Sequence, residues 1–211
     1  MNKILDIVAK SLSVLLYPLF IPTYGIILFC VAHSLHIAPL AGVWIAVAVT
    51  GTFLLTCVLP ITAIWILMKK GLVKDLYIDN PKERTMPYVY AALGFGFWCY
   101  FLTHILHAPT FLSGVAVGAT IAIGLIALIN RTWKISAHLA GLGGLIGGIL
   151  SYCLGIGAIP TMGTWALWLG LSWLLMWARL YMDAHTGAQV SAGWLLGIAC
   201  TFLPYFIVSN V

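Results

Sequence analysis

Charge is what this sequence most lacks. Only 7% of its 211 residues are Asp, Glu, Lys or Arg, against about 25% in soluble domains. So few charges cannot cover a water-facing surface, which excludes an ordinary soluble fold. Acidic residues are scarcer still, 5 against 10 Lys and Arg, and no acidic cluster stands ready to hold a catalytic magnesium. Paired cysteines are missing too. Cys30, Cys57, Cys99, Cys153 and Cys200 form no CxxC pair, so neither a zinc knuckle nor a disulfide framework is indicated. They read as small buried hydrophobes. No linker, low-complexity stretch or internal repeat divides the chain, and residues 1–211 count as a single membrane domain.

What is present is apolar: 63% of the residues are hydrophobic. They fall in runs at about Leu12–Ala32, Ala41–Met68, Tyr88–Leu106, Thr110–Asn130, Ala137–Gly157, Thr164–Tyr181 and Ala188–Val208. Each is near the ~20 residues that cross a bilayer as a helix. In lipid the backbone must bond to itself, and the alternation of a barrel strand is absent. The expected fold is all-α, a polytopic transmembrane helix bundle of about seven spans. It becomes six if the first run, which holds Pro18 and Pro22, does not cross. The start, Met1-Asn2-Lys3 and then apolar residues, resembles a signal peptide. Its run is longer than a signal peptide's hydrophobic region, so a retained first span is expected. Pro60 is expected to tilt or kink the second run. Gly143/Gly147 and Gly144/Gly148 in the fifth run have the spacing of close helix packing.

The charges sort to one side. With seven spans, Lys3 and Lys10, the Lys69–Arg84 loop, Arg131 and Lys134, and Arg179 with Asp183 all fall on the same face. The opposite loops carry none. By the positive-inside rule the charged face is cytoplasmic, in a bacterial-type inner (plasma) membrane. The net charge of +5 then points to anionic headgroups and not to nucleic acid.

Three polar clusters lie on that face. The first is Asp79-Asn-Pro-Lys82-Glu-Arg84-Thr-Met-Pro87. Lys82 and Arg84 could hold a phosphate, Arg as a fork and Lys as a point charge. A plain basic loop is the bland alternative. The second, Lys134-Ile-Ser136-Ala-His138, opens the fifth run. Ser136 can cap a helix whose free N–H groups favour an anion, and His138 would be a general acid in its first turn. The third, Arg179-Leu-Tyr-Met-Asp-Ala-His185-Thr-Gly-Ala-Gln189, sets an Arg, a His and a Gln at a regular spacing. Arg179 can hold an anion, His185 can be nucleophile or base, and Gln189 can orient it across one helical turn. Together they have the composition of a metal-free phosphoryl-transfer site with a histidine nucleophile.

In order, side and spacing the clusters resemble the three signature motifs of the type-2 phosphatidic acid phosphatase superfamily. The likeness covers most of the chain from Lys82 to Gln189. It implies an integral-membrane lipid phosphatase that needs no cofactor or metal. His185 would form a phosphohistidine, and His138 would protonate the leaving oxygen. Arg179, Arg84, Ser136 and Lys82 would hold the phosphate oxygens, and the residue at position 189 would orient His185. The substrate would be a lipid phosphate or pyrophosphate of the polyprenyl, phosphatidic acid or phosphatidylglycerol phosphate class. The chain departs from the pattern at several positions. Ile135 and Ala137 replace proline and glycine, Arg84 stands apart from Pro87, and no Lys precedes Arg84 by seven residues. Most important, Gln189 stands where the family has Asp, so charge support for an imidazolium is lost. Asp183, two residues before His185, would face away from it in a helix. The alternative is a relative of low or no activity that binds or transports a phosphorylated lipid. His33 with His36, and His104 with His107, lie on the uncharged side without an accompanying carboxylate or cysteine and read as interfacial residues.

Overall fold

The computed structural model describes residues 3–72 and 85–208. Lys82 and Arg84 lie outside the described residues. The described residues form helices and no strand. In chain order these are α1 (Lys3–Leu15), α2 (Ile21–His36), α3 (Gly42–Lys69), α4 (Thr85–Tyr100, prolonged by a π turn at Phe101–Ile105), α5 (Thr110–Ile129), α6 (Ala137–Gly155), α7 (Met162–Tyr181) and α8 (Gly187–Val208). Four are long and apolar enough to cross a membrane: α3, α5, α6 and Gly187–Ile207 of α8. They mark a membrane protein. By length and composition they do not reach the expected seven.

The first apolar run departs most from expectation, because it is not one helix. Pro18 sits in a turn between α1 and α2, and Pro22 stands in the first turn of α2. A proline cannot donate to a helix interior, so each is placed where no such bond is needed. α1 is amphipathic, with Ala9 and Ser13 buried and Ile4 and Ile7 exposed. α2 is apolar but has only 16 residues. The second run behaves differently. Pro60 would collide with the carbonyl of Thr56, but a π turn at Leu54–Val58 widens the helix just before it. α3 therefore continues unbroken for 28 residues. Gly71 after α3 and Gly157 after α6 have φ of 70° and 66° with open space around them. Their left-handed backbone, which costs a side chain strain, ends the helix.

The densest packing joins α6 to α8. A methyl group on Gly147 would meet the Ile198 carbonyl oxygen at 2.6 Å, and one on Gly143 would strike the Trp194 carbonyl. The seam is reciprocal. Gly193 of α8 lies against the Ser136 carbonyl, and Gly197 against that of Ala140. Small residues on both helices thus let backbone touch backbone. Thr201 Oγ1 donates to the Gly144 carbonyl at 2.9 Å across the same seam. Gly148, by contrast, faces Val115 of α5. The contacts rise together along both chains, so α6 and α8 run parallel. Gly114 opposite Pro204 and Gly118 opposite Cys200 make α5 antiparallel to α8. The starts of α6 and α8 consequently meet at one end, where the Ser136 N–H donates to the Gln189 carbonyl at 3.2 Å. Gly147→Val should therefore destabilise the bundle by about 3 kcal/mol. Gly96→Ala, which meets nothing within 4 Å, should leave it at least as stable, with a gain of up to about 1 kcal/mol. Thermal unfolding of the two variants in detergent checks the contrast.

Candidate functional site

The second and third clusters meet at the parallel ends of α6 and α8. His185 sits half-buried in the turn between α7 and α8. Its Nδ1 lies 3.2 Å from the Lys134 carbonyl and 3.3 Å from Gln189 Oε1. The Thr186 N–H donates to the same Oε1 at 3.1 Å, which identifies that atom as the oxygen. Both partners of Nδ1 only accept, so Nδ1 carries the proton and Nε2 presents its lone pair. Gln189, in the first turn of α8, thus reaches back to the histidine it was expected to orient.

His185 is held well below the usual imidazole range, at about 4. Burial contributes most, followed by the positive charges of Arg179 and Lys134, while its two acceptors work in the opposite sense. At neutral pH the ring is therefore uncharged and its lone pair available.

His138, in the first turn of α6, lies within electrostatic range of Arg179 and His185. Its Nε2 is 3.2 Å from the Ser13 carbonyl, an acceptor only, so its proton is on Nε2. Tyr17 packs edge-on against the ring at 5.4 Å between centroids. Arg179 ends α7 and donates from Nη1 to Ser13 Oγ at 3.3 Å. Ser136 caps α6 as expected, its Oγ accepting from the Leu139 N–H at 3.5 Å. Its side chain is fully buried.

Arg179, His138 and His185 line one cavity of about 1430 Å³, together with Lys10, Ser13, Lys134 and Asp183; Ser136 is not in its wall. Beyond this polar end the walls are mostly apolar, with His36, Thr161 and Thr164 toward the far end. They run along α2 and α6, past Gly144, Leu145, Ile149 and Phe29, to Ile156 and Pro160. The length of α6 makes this path ~27 Å. The site is thus a charged pocket opening into a long greasy slot. Among the described residues no three His, Cys, Asp or Glu side chains gather as a metal's ligands would.

Asp183 differs from expectation. It lies in no helix but in the α7–α8 turn with φ of 51°, and it borders the cavity. Asp tolerates that backbone better than most residues. Residues with no assigned role also belong here: Lys10 and Ser13 of α1, Tyr17 just after it, and Lys134 of the second cluster. The spacing of Lys10, Ser13 and Tyr17 would put all three on one helical face, but nothing in the sequence says what that face meets. α1 docks on α7, where Tyr181 donates to Asp6 at 2.9 Å. On the uncharged side, His33 packs on Phe29 and His104 on Tyr100.

Compared with known proteins, the chain matches no family model, no curated protein and no solved structure.

Nitrogen-15 NMR of labelled histidine should find His185 as the Nδ1–H tautomer and unprotonated until the pH falls to about 4. Gln189→Asp places a negative charge on Nδ1–H, favours the imidazolium and should raise that titration toward the ordinary histidine range. A His185 titrating near 6.5 in the wild type would contradict the geometry described.

Proposed function

We propose that the protein is an integral-membrane lipid phosphatase resembling the type-2 phosphatidic acid phosphatases. It hydrolyses a phosphate or pyrophosphate carried on a long apolar chain. One observation carries this reading. A nucleophile with a free lone pair, a second histidine and an arginine, drawn from separate segments, line the polar end of one amphipathic slot. The headgroup lies among Arg179, Lys134 and the histidines, and the tail lies along α2 and α6.

His185 Nε2 attacks phosphorus, forming a P–N bond as the P–O bond to the lipid breaks. The leaving oxygen takes a proton from His138 as its imidazolium. The phosphohistidine keeps its Nδ1–H, and the Lys134 carbonyl and Gln189 Oε1 accept from it. These two neutral acceptors stand where a carboxylate would stabilise the cation better. Water then attacks phosphorus, gives its proton to His138 and frees His185. Arg179 and Lys134 spread the charge of the transferring group over its oxygens. We place α2 to α8 across a bacterial-type inner membrane, α1 along its surface and the site on the cytoplasmic face, in keeping with the charge asymmetry.

Purified protein should release phosphate from a lipid phosphate without added metal, and His185→Ala should lower that rate by about a thousandfold or more. Gln189→Asp should raise turnover by about tenfold or more, by restoring the missing charge. Gln189 also favours a second reading, a protein that binds a phosphorylated lipid and turns it over slowly or not at all. Tight binding without phosphate release by the wild type and by Gln189→Asp would establish that reading and defeat the enzymatic one.

A further inference from the structure

Ser136 holds the position of the expected phosphate-binding serine, but it is poorly placed for that task. Its Oγ is occupied as the cap of α6, its carbonyl is pressed against Gly193, and its side chain is fully buried outside the cavity wall. A different hydroxyl stands in the wall. Ser13 of α1 accepts from Arg179 Nη1 at 3.3 Å and directs its own proton to the Met182 thioether at 3.8 Å. Sulfur is a weak acceptor, so that proton is easily turned toward a better one.

The backbone around Ser13 explains how it comes to be there. In a continuing helix its carbonyl would accept from the Tyr17 N–H. At the Pro18 turn that N–H goes instead to the Val14 carbonyl, at 3.3 Å. The Leu12 carbonyl keeps the Leu16 N–H, and the Leu15 carbonyl accepts from the Tyr24 hydroxyl. The Ser13 carbonyl is thus released from α1, and His138 Nε2 takes it. One residue therefore engages both Arg179 and His138 through two oxygens. Lys10 lies one turn earlier on the same face and borders the same cavity.

We propose that Ser13 and Lys10 of α1 are phosphate-binding residues: Ser13 supplies the hydroxyl in place of Ser136, and Lys10 adds a cation at the mouth. This rests on the phosphatase reading above. A phosphate oxygen accepts the Ser13 proton now given to sulfur, while Arg179 keeps its bond to Ser13 Oγ and turns its remaining N–H groups to the anion. The ligand chemistry is a phosphate dianion, borne on a lipid or free in solution.

The test is calorimetric titration of the full chain in detergent with two probes, inorganic phosphate and hexadecylphosphonate, whose C–P bond is not hydrolysed. Ser13→Ala should weaken binding by about tenfold, the loss of one charge-assisted hydrogen bond. Ser13→Thr, which keeps the hydroxyl, should restore it to within about twofold. Lys10→Gln should weaken it by about threefold and reduce its salt dependence. Ser136→Ala should lower the unfolding temperature through the lost cap and leave affinity unchanged. Losses with both probes, or with the phosphonate alone, support the assignment, and the second outcome makes the ligand lipid-borne. Unchanged affinity in Ser13→Ala, or a loss in Ser136→Ala instead, overturns it. Arg179→Ala separates the two levels: if it binds as well as wild type, or if wild type binds neither probe, the phosphate reading itself fails and Ser13 falls with it. Ala favours a helix more than Ser does, so Ser13→Ala should unfold at about the wild-type temperature, and binding loss then reports on the site.

Discussion

The contact of α6 with α8 through glycine is the constraint on which the site depends. Gly143 and Gly147 on one helix, and Gly193 and Gly197 on the other, remove the side chains that would otherwise hold the backbones apart. Apolar burial gives little drive for helix association in lipid, so close packing must supply it. The two helices run parallel, and their starts are therefore brought together and fixed. The Ser136 to Gln189 backbone bond marks that junction. His138 is two residues beyond Ser136, and His185 is four residues before Gln189. Side chains 47 positions apart in sequence thus share one pocket because their helices cannot slide.

The electrostatics follow from that confinement. Burial and the charges of Arg179 and Lys134 keep His185 neutral, while two carbonyl acceptors fix its proton on Nδ1. Gln189 takes part in a way that an apolar residue could not, because its Oε1 accepts from both the ring and the Thr186 N–H. It orients without adding charge. The same neutral acceptors that leave the Nε2 lone pair available would give an imidazolium at His185 less support than a carboxylate.

Much of the fold was legible in the sequence because the bilayer allows few solutions. The runs near Ala41, Thr110, Ala137, Thr164 and Ala188 each became a helix within a few residues of the expected ends. The first run did not, since its length obeyed the rule for a span while Pro18 broke it in two. Pro60 carried the same warning and had another outcome, absorbed in a π turn. Local sequence does not separate those cases. At the site, His185 with Gln189 could be read from spacing, because a Gln in the first turn of a helix reaches back to the residues just before it. Ser13 could not, since it meets Arg179 and His138 only after α1 folds back onto α7.

From the sequence by itself came the membrane environment and the helical class. Composition and run length settle these, because lipid penalises every unpaired backbone group and every stray charge. The tertiary structure alone decided that Ser13 of α1 lines the polar end of the cavity and that Ser136 is a cap turned away from it. Those outcomes depend on how helices distant in the chain pack together, and no local pattern of residues records the packing of two surfaces.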